Sequence, residues 1–243
     1  MKWKQRQESF VKDCDWLFLN TIYHRGKFNN ESVYENTMLA YKGAMDEGAS
    51  IELDVQLTND NKVVCFHDAD LKRMFNRQRL LNDISYKRLN KLSDKINVPL
   101  FSDVLKEING KVGLVIELKH VNNKVNKRLL KEVYECLKGY EGKYVIVSFS
   151  PFMLKGYRRL DKRVYLGRNG TSICKGLLKR FLVSNLGFDF ICKCDFVSYD
   201  VEHSNVKILS KYKDKGYKIL GWVLRDKNNE VELKNFYYNF IVE

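Results

Sequence analysis

The sequence has little that would break, anchor or cross-link the chain. It holds two prolines in 243 residues and no Gly/Ser-rich stretch, so no linker shows and a single domain over 1–243 is expected. No uninterrupted apolar run is long enough to span a bilayer, and the first residues, Met1-Lys2-Trp3-Lys4-Gln5-Arg6, lack the apolar core of a secretory signal. Six cysteines (14, 65, 136, 174, 192 and 194) form no paired Cys-x-x-Cys pattern, and Cys192-Lys193-Cys194 alone defines no zinc site. A reduced, cytoplasmic protein is the expectation. A basic arm and a nucleic-acid motif are also missing, although the net charge is +13. The lysines are dispersed, so no nucleic-acid partner is expected. Phosphorylated small molecules or weak contact with an anionic membrane surface fit such a charge equally well.

What is present is a hydrophobic content of 44%, enough at this length to bury a large core, and a regular alternation of strand and helix patterns. Apolar spacing predicts a first strand over 15–23, a helix over 37–47 ended by Gly48, and a hairpin over 50–66 around Asn59-Asp60-Asn61. A polar, basic stretch over 69–97 follows, and a short helix opens near Ser102. Strands are then predicted over 112–118, 144–149, 164–167, 196–199, 218–224 and 239–242. Helices are predicted between them over 124–137, 151–160, 174–186, 205–215 and 230–236. Eight strands alternating with helices predict a (β/α)8 TIM barrel of the α/β class. It carries a small insertion after strand two, and its final helix is incomplete because the sequence ends at Glu243.

Chemistry collects at the ends of these strands. In Ser50-Ile51-Glu52-Leu53-Asp54-Val55-Gln56 the period of two puts Glu52, Asp54 and Gln56 on one face. On periodicity alone these carboxylates would be the solvated face of an edge strand. In a barrel they would instead point into the mouth and hold a cation. His24-Arg25 ends strand one, His67-Asp68 ends the hairpin, and Glu117 shares a face with Lys119 on strand three, with His120 facing away. A parallel barrel brings such ends to one mouth, and that joint placement favours the cation reading. Glu52, Asp54 and Glu117, with no cysteine near, suit one hard divalent cation, Mg²⁺ or Ca²⁺, rather than zinc. Arg25 and Lys119 are suited to clamp a phosphate, and two histidines can divide proton acceptance and donation.

The sequence resembles the glycerophosphodiester phosphodiesterase family, in the form of its compact bacterial members. The resemblance rests on His24-Arg25-Gly26, Glu35-Asn36-Thr37, Glu52-x-Asp54-Val55-x-x-Thr58, His67-Asp68 and Ile116-Glu117-x-Lys119, in that order. It extends through Ser148-Phe149-Ser150, Gly221-Trp222 and Phe240-Ile241-Val242-Glu243, nearly the whole chain. It implies a metal-dependent barrel enzyme that splits a small-molecule glycerophosphodiester into glycerol phosphate and an alcohol. It further implies metal ligation by Glu52, Asp54 and Glu117, acid/base catalysis by His24 and His67, and phosphate binding by Arg25. Trp222 is placed in the substrate pocket on the same ground. The sequence departs from the common pattern at Leu100 and at Val223-Leu224-Arg225. Two rival readings are a related phosphodiesterase acting on lysophospholipids and a non-catalytic barrel that binds phosphate-bearing ligands.

One segment has more apolar surface than a barrel helix requires. Leu177, Leu178, Phe181, Leu182, Val183 and Leu186, followed by Phe188, Phe190 and Ile191, occupy more than one stripe. With Lys175, Lys179 and Arg180 adjacent, stretch 176–191 is expected to form a partly exposed ridge near the mouth. Self-association or lipid-like substrates would be its use, and ordinary burial is the alternative.

Overall fold

The computed structural model describes residues 3–119, 125–173, 176–226 and 230–243. His120, Lys124, Cys174 and Lys175, which enter the expectations above, lie outside those residues. Nine strands form one sheet: β1 (Ile22–His24), β2 (Ser50–Leu57), β3 (Val63–Cys65), β4 (Leu114–Leu118), β5 (Tyr144–Ser148), β6 (Leu166–Gly170), β7 (Phe196–Asp200), β8 (Ile219–Leu224) and β9 (Asn239–Val242). All except β3 run parallel, and β1 pairs with both β2 and β9, so eight strands close into the expected TIM barrel. β3 pairs antiparallel with the upper part of β2, Val55 facing Cys65. It opens the insertion, which has its own small core of Val64, Phe66, Leu71, Phe75, Leu81 and Leu89.

The barrel is apolar below and polar above. Ile22, Val115, Val145, Phe196, Leu220 and Ile241 fill the lower interior, while the outward faces of the strands pack on the helices. The N-terminal helices α1 (Trp3–Asp13) and α2 (Trp16–Leu19) close this floor. Phe10 stacks on Phe196 at 5.4 Å with the rings 7° apart, and a Cβ on Gly113 would run into the Trp16 indole. Burying Phe10, Trp16 and Leu17 stabilises the floor by roughly 1.5–3 kcal/mol per side chain. Arg6 reaches the buried Asp195 at the start of β7, at 2.5 and 2.9 Å.

This floor corrects the predicted first strand. Only Ile22–His24 is strand, because Asp15 caps a helical turn by accepting from Trp16 N at 2.7 Å. That turn carries Trp16 and Leu17 under the barrel. Helices α3 (Met38–Asp46), α4 (Lys72–Phe75), α5 (Tyr86–Leu89), α6 (Phe101–Ile108), α7 (Lys127–Leu137) and α8 (Pro151–Leu160) follow in order. Thr37 caps α3, Asn126 caps α7 and Ser150, with Pro151 behind it, caps α8.

The helix predicted over 174–186 does not form as one piece. It is replaced by α9 (Leu177–Lys179), a π turn (Arg180–Ser184) and, after a break, α10 (Asp189–Cys192). Buried partners compete for its carbonyls: Arg168 donates to Leu182 O at 2.6 Å and Tyr199 to Ser184 O at 2.9 Å. Leu186 and Phe188 then take positive φ. Helices α11 (Val206–Asp214) and α12 (Glu230–Leu233) complete the series, and Glu243 follows β9 directly. Among the described residues no helix is long and apolar enough to cross a membrane.

Candidate active site

Strand register assembles the carboxylates. Asp54 and Glu117 are lateral partners on β2 and β4, and Glu52, one period before Asp54, lies beside His24 of β1. The three place one oxygen each within 4.8 Å of the others, at 5%, 1% and 7% exposure. Lys119 Nζ lies 2.9 Å from Asp54 and 3.1 Å from Glu117, while Arg25 Nε lies 3.4 Å from Asp54. Asn36 donates to Asp54 at 2.9 Å and accepts from the Tyr41 hydroxyl at 2.9 Å.

Two cations among three buried carboxylates leave a shortfall. Burial, then repulsion from Asp54 and Glu117, pushes the Glu52 carboxyl well above the usual carboxylate range. Asp54 is pulled the other way: burial raises it, but Lys119, His67 and Arg25 outweigh that and hold it low. Burial alone would lower Lys119, and Asp54 and Glu117 more than reverse this. A divalent cation supplies the charge that Glu52 lacks, and all three donors are hard oxygens. The residues therefore fit a metal ion.

Each histidine has an acidic partner on Nδ1. His24 Nδ1 sits 2.8 Å from Glu243 and its Nε2 3.9 Å from Glu52. Burial lowers the His24 pKa, and the Glu243 bond only partly offsets this. His24 and Arg225 in turn depress the Glu243 carboxyl to about 2. His67 Nδ1 sits 2.6 Å from Asp68. Arg73 ties that pair to the rest of the site, bonding Asp68 through Nε at 2.7 Å and Glu35 through both terminal nitrogens at 2.7 Å. Glu35 also accepts from Arg25 at 2.8 Å. Burial raises Asp68 and Glu35, yet the bonds from His67 and Arg73, and from Arg73 and Arg25, hold them below the usual range. Gln56 fixes the His67 loop, its Nε2 lying 2.8, 3.0 and 2.8 Å from the carbonyls of Phe66, His67 and Asp68.

A cavity of about 270 Å³ lies over this cluster. His24, Arg25, Glu52, His67, Glu117, Lys119 and Trp222 all line it, with Asp54 held just beneath through Lys119. All eight residues singled out from the sequence thus converge. Phe149 meets Trp222 edge-on at 5.6 Å on the opposite wall. Asn169, Asp200 and His203 are also there. The sequence reading missed Gln56, Asn36, Arg73 and Glu243 as working parts. Asn36 and Glu243 lay inside quoted motifs, and Gln56 shares the face of Glu52 and Asp54. Arg73 gave no local signal.

An eight-stranded barrel with a carboxylate cluster and two carboxylate-backed histidines in one polar mouth belongs to the class of TIM-barrel proteins equipped for metal binding and proton transfer. Comparison narrows that class. The Glycerophosphoryl diester phosphodiesterase family matches residues 24–237, and the chain belongs to it. A glycerophosphodiester phosphodiesterase of Caldanaerobacter subterraneus is 31% identical over 60% of this chain and 64% of its own length. A lysophospholipase D of Mus musculus is 33% identical over 52% of this chain and 43% of its own length. The chain thus spans less than two thirds of these curated relatives. A phosphodiesterase of Oleispira antarctica, solved with the product sn-glycerol-3-phosphate, shares the fold at a TM-score of 0.74, with 22% identity and 92% of both chains covered.

Proposed function

We propose that this protein hydrolyses glycerophosphodiesters to glycerol phosphate and an alcohol. The observation that carries the reading is the convergence of two carboxylate-backed histidines and three clustered carboxylates on one cavity. A divalent cation, Mg²⁺ or Ca²⁺, held by Glu52, Asp54 and Glu117 supplies charge neutralisation and polarisation of the phosphoryl oxygen. Arg25, held by Glu35 at Nη1 and facing Asp54 through Nε, brings positive charge to the cavity for a phosphate oxygen. Lys119 adds positive charge beside it. His24, kept neutral by burial, takes at Nε2 the proton of the substrate's glycerol hydroxyl as that oxygen attacks phosphorus, and water then opens the resulting cyclic phosphate to glycerol phosphate. His67, its Nδ1 turned to Asp68, delivers a proton to the leaving alkoxide. Phe149 and Trp222 enclose the organic part of the substrate.

The rim of the same cavity includes Ile173, an exposed apolar residue, which favours a second reading in which lysophospholipids are accepted. The test is release of sn-glycerol-3-phosphate from glycerophosphocholine and glycerophosphoethanolamine, and of choline from lysophosphatidylcholine, each with and without chelator. Turnover abolished by chelator and restored by Mg²⁺ or Ca²⁺ is expected. Full activity in strong chelator, or no turnover of any diester, overturns the proposal. None of the five cysteines among the described residues is in a disulfide, which fits the cytoplasm as the compartment.

A further inference from the structure

The broken segment after β6 leaves a concentration of apolar surface at the cavity rim. Leu177 is 88% exposed, Leu178 65%, Phe181 45% and Phe190 75%. Ring contacts join the phenylalanines: Phe181 meets Phe188 at 5.5 Å, and Phe188 meets Phe190 at 6.1 Å. Ile173, 62% exposed, lines the catalytic cavity four residues before Leu177, within about 15 Å by chain length. The ridge therefore starts within reach of the mouth, and Phe190 carries it to a second groove beside Arg158 and Lys193.

This groove has a volume of about 870 Å³, and in it Phe190 and Ile191 lie among Lys155, Arg159, Lys162 and Lys193, with no carboxylate in its lining among the described residues. Apolar side chains beside a groove lined by cations are what a bilayer interface of anionic lipid accepts: acyl chains take the former and headgroups the latter. A second copy of this chain is a poorer occupant. Its own charge of +13 would oppose the approach of two such surfaces, whereas anionic lipid neutralises it.

We propose that Leu177, Leu178, Phe181 and Phe190, with the basic groove beside them, dock the protein on the surface of an anionic phospholipid bilayer, the catalytic mouth at the edge of the contact. The docking goes beyond the proposed hydrolysis and is read without turnover, so the two stand or fall separately. The whole chain is floated with vesicles of phosphatidylcholine alone, or of equal parts phosphatidylcholine and phosphatidylglycerol, while light scattering follows its mass. Binding to the anionic vesicles, weakened by salt, is expected. The double variant Leu177→Ser/Phe190→Ser should weaken it roughly tenfold or more. The triple variant Lys155→Ala/Arg159→Ala/Lys162→Ala should weaken it roughly a hundredfold. Unchanged thermal unfolding shows that these exposed substitutions leave the fold intact. No binding to anionic vesicles, or binding indifferent to the apolar pair, overturns the proposal. Self-association that the same pair abolishes, without vesicle binding, assigns the ridge to a second copy and overturns it as well.

Discussion

Replacing Gln56 with methionine keeps a buried side chain of similar length and removes its two N–H donors. Those two protons serve three carbonyls, of Phe66, His67 and Asp68, at 2.8, 3.0 and 2.8 Å. Two lost bonds cost about 1 kcal/mol each, and leaving a buried carbonyl unpaired adds about 1–3 kcal/mol. The variant should therefore unfold at roughly 3–5 kcal/mol lower stability, read by urea denaturation. Catalysis should suffer separately, because the three carbonyls belong to the turn that carries His67. A displacement near 1 Å at a reacting group is worth about a hundredfold in rate. In turnover of glycerophosphocholine kcat should fall by about that much while KM changes little, since Gln56 contacts the turn and not the diester. Gln56→Glu is the sharper control. It keeps the shape, loses both donors and faces the carbonyls with a carboxylate, so it should be no better than methionine. If Gln56→Met keeps wild-type kcat and loses less than about 0.5 kcal/mol, the positioning argument fails.

The carboxylates should act as a metal site: Glu52→Gln, Asp54→Asn and Glu117→Gln should each weaken Mg²⁺ or Ca²⁺ binding by more than about tenfold in calorimetry, with the fold retained. Glu243→Gln removes the carboxylate that raises His24 against the lowering effect of burial. The His24 pKa should fall further, and the acidic limb of kcat/KM should move to lower pH; movement to higher pH contradicts His24 as the base. Arg73→Ala strips Asp68 and Glu35 of a shared partner and should destabilise by about 1–2 kcal/mol at neutral pH. Glu35 titrates lower in the folded state than unfolded, so that stability is present above the unfolded pKa and fades as pH falls through the folded one. The gap between variant and wild type should accordingly narrow in acid, as followed by thermal unfolding across pH.

Features with a local period were legible in the sequence. The alternation of Glu52 and Asp54 with Ile51, Leu53 and Val55 set the two faces of β2, and the succession of strands and helices gave the barrel. Features decided by partners far along the chain were not. Residues 16–19 are apolar enough for a strand, and only the space over Gly113 beneath the barrel makes Trp16 and Leu17 more useful on a helical turn. In 176–191 the apolar excess was visible, but the loss of regular helix depends on Arg168 and Tyr199, whose donors capture its carbonyls. Arg73 had no signature because its partner Glu35 lies 38 positions away and the insertion that carries Arg73 had no readable period.

The pairing of β1 with β9 sets a condition on how the site comes into being. His24 and the glutamate that orients it are 219 positions apart, and Asn239 bonds the carbonyls of Leu17 and Asn20 across the same seam. A ribosome-bound chain that has emerged only as far as β8 has all three clustered carboxylates, yet its barrel is open along β1. Two unpaired strand edges face solvent there, and the His24 ring has nothing behind it. The closure of the barrel and the backing of His24 therefore come together, when β9 fills the gap between β8 and β1. A polypeptide that stops short of β9 should leave β1 and β8 unpaired and be prone to edge-to-edge aggregation.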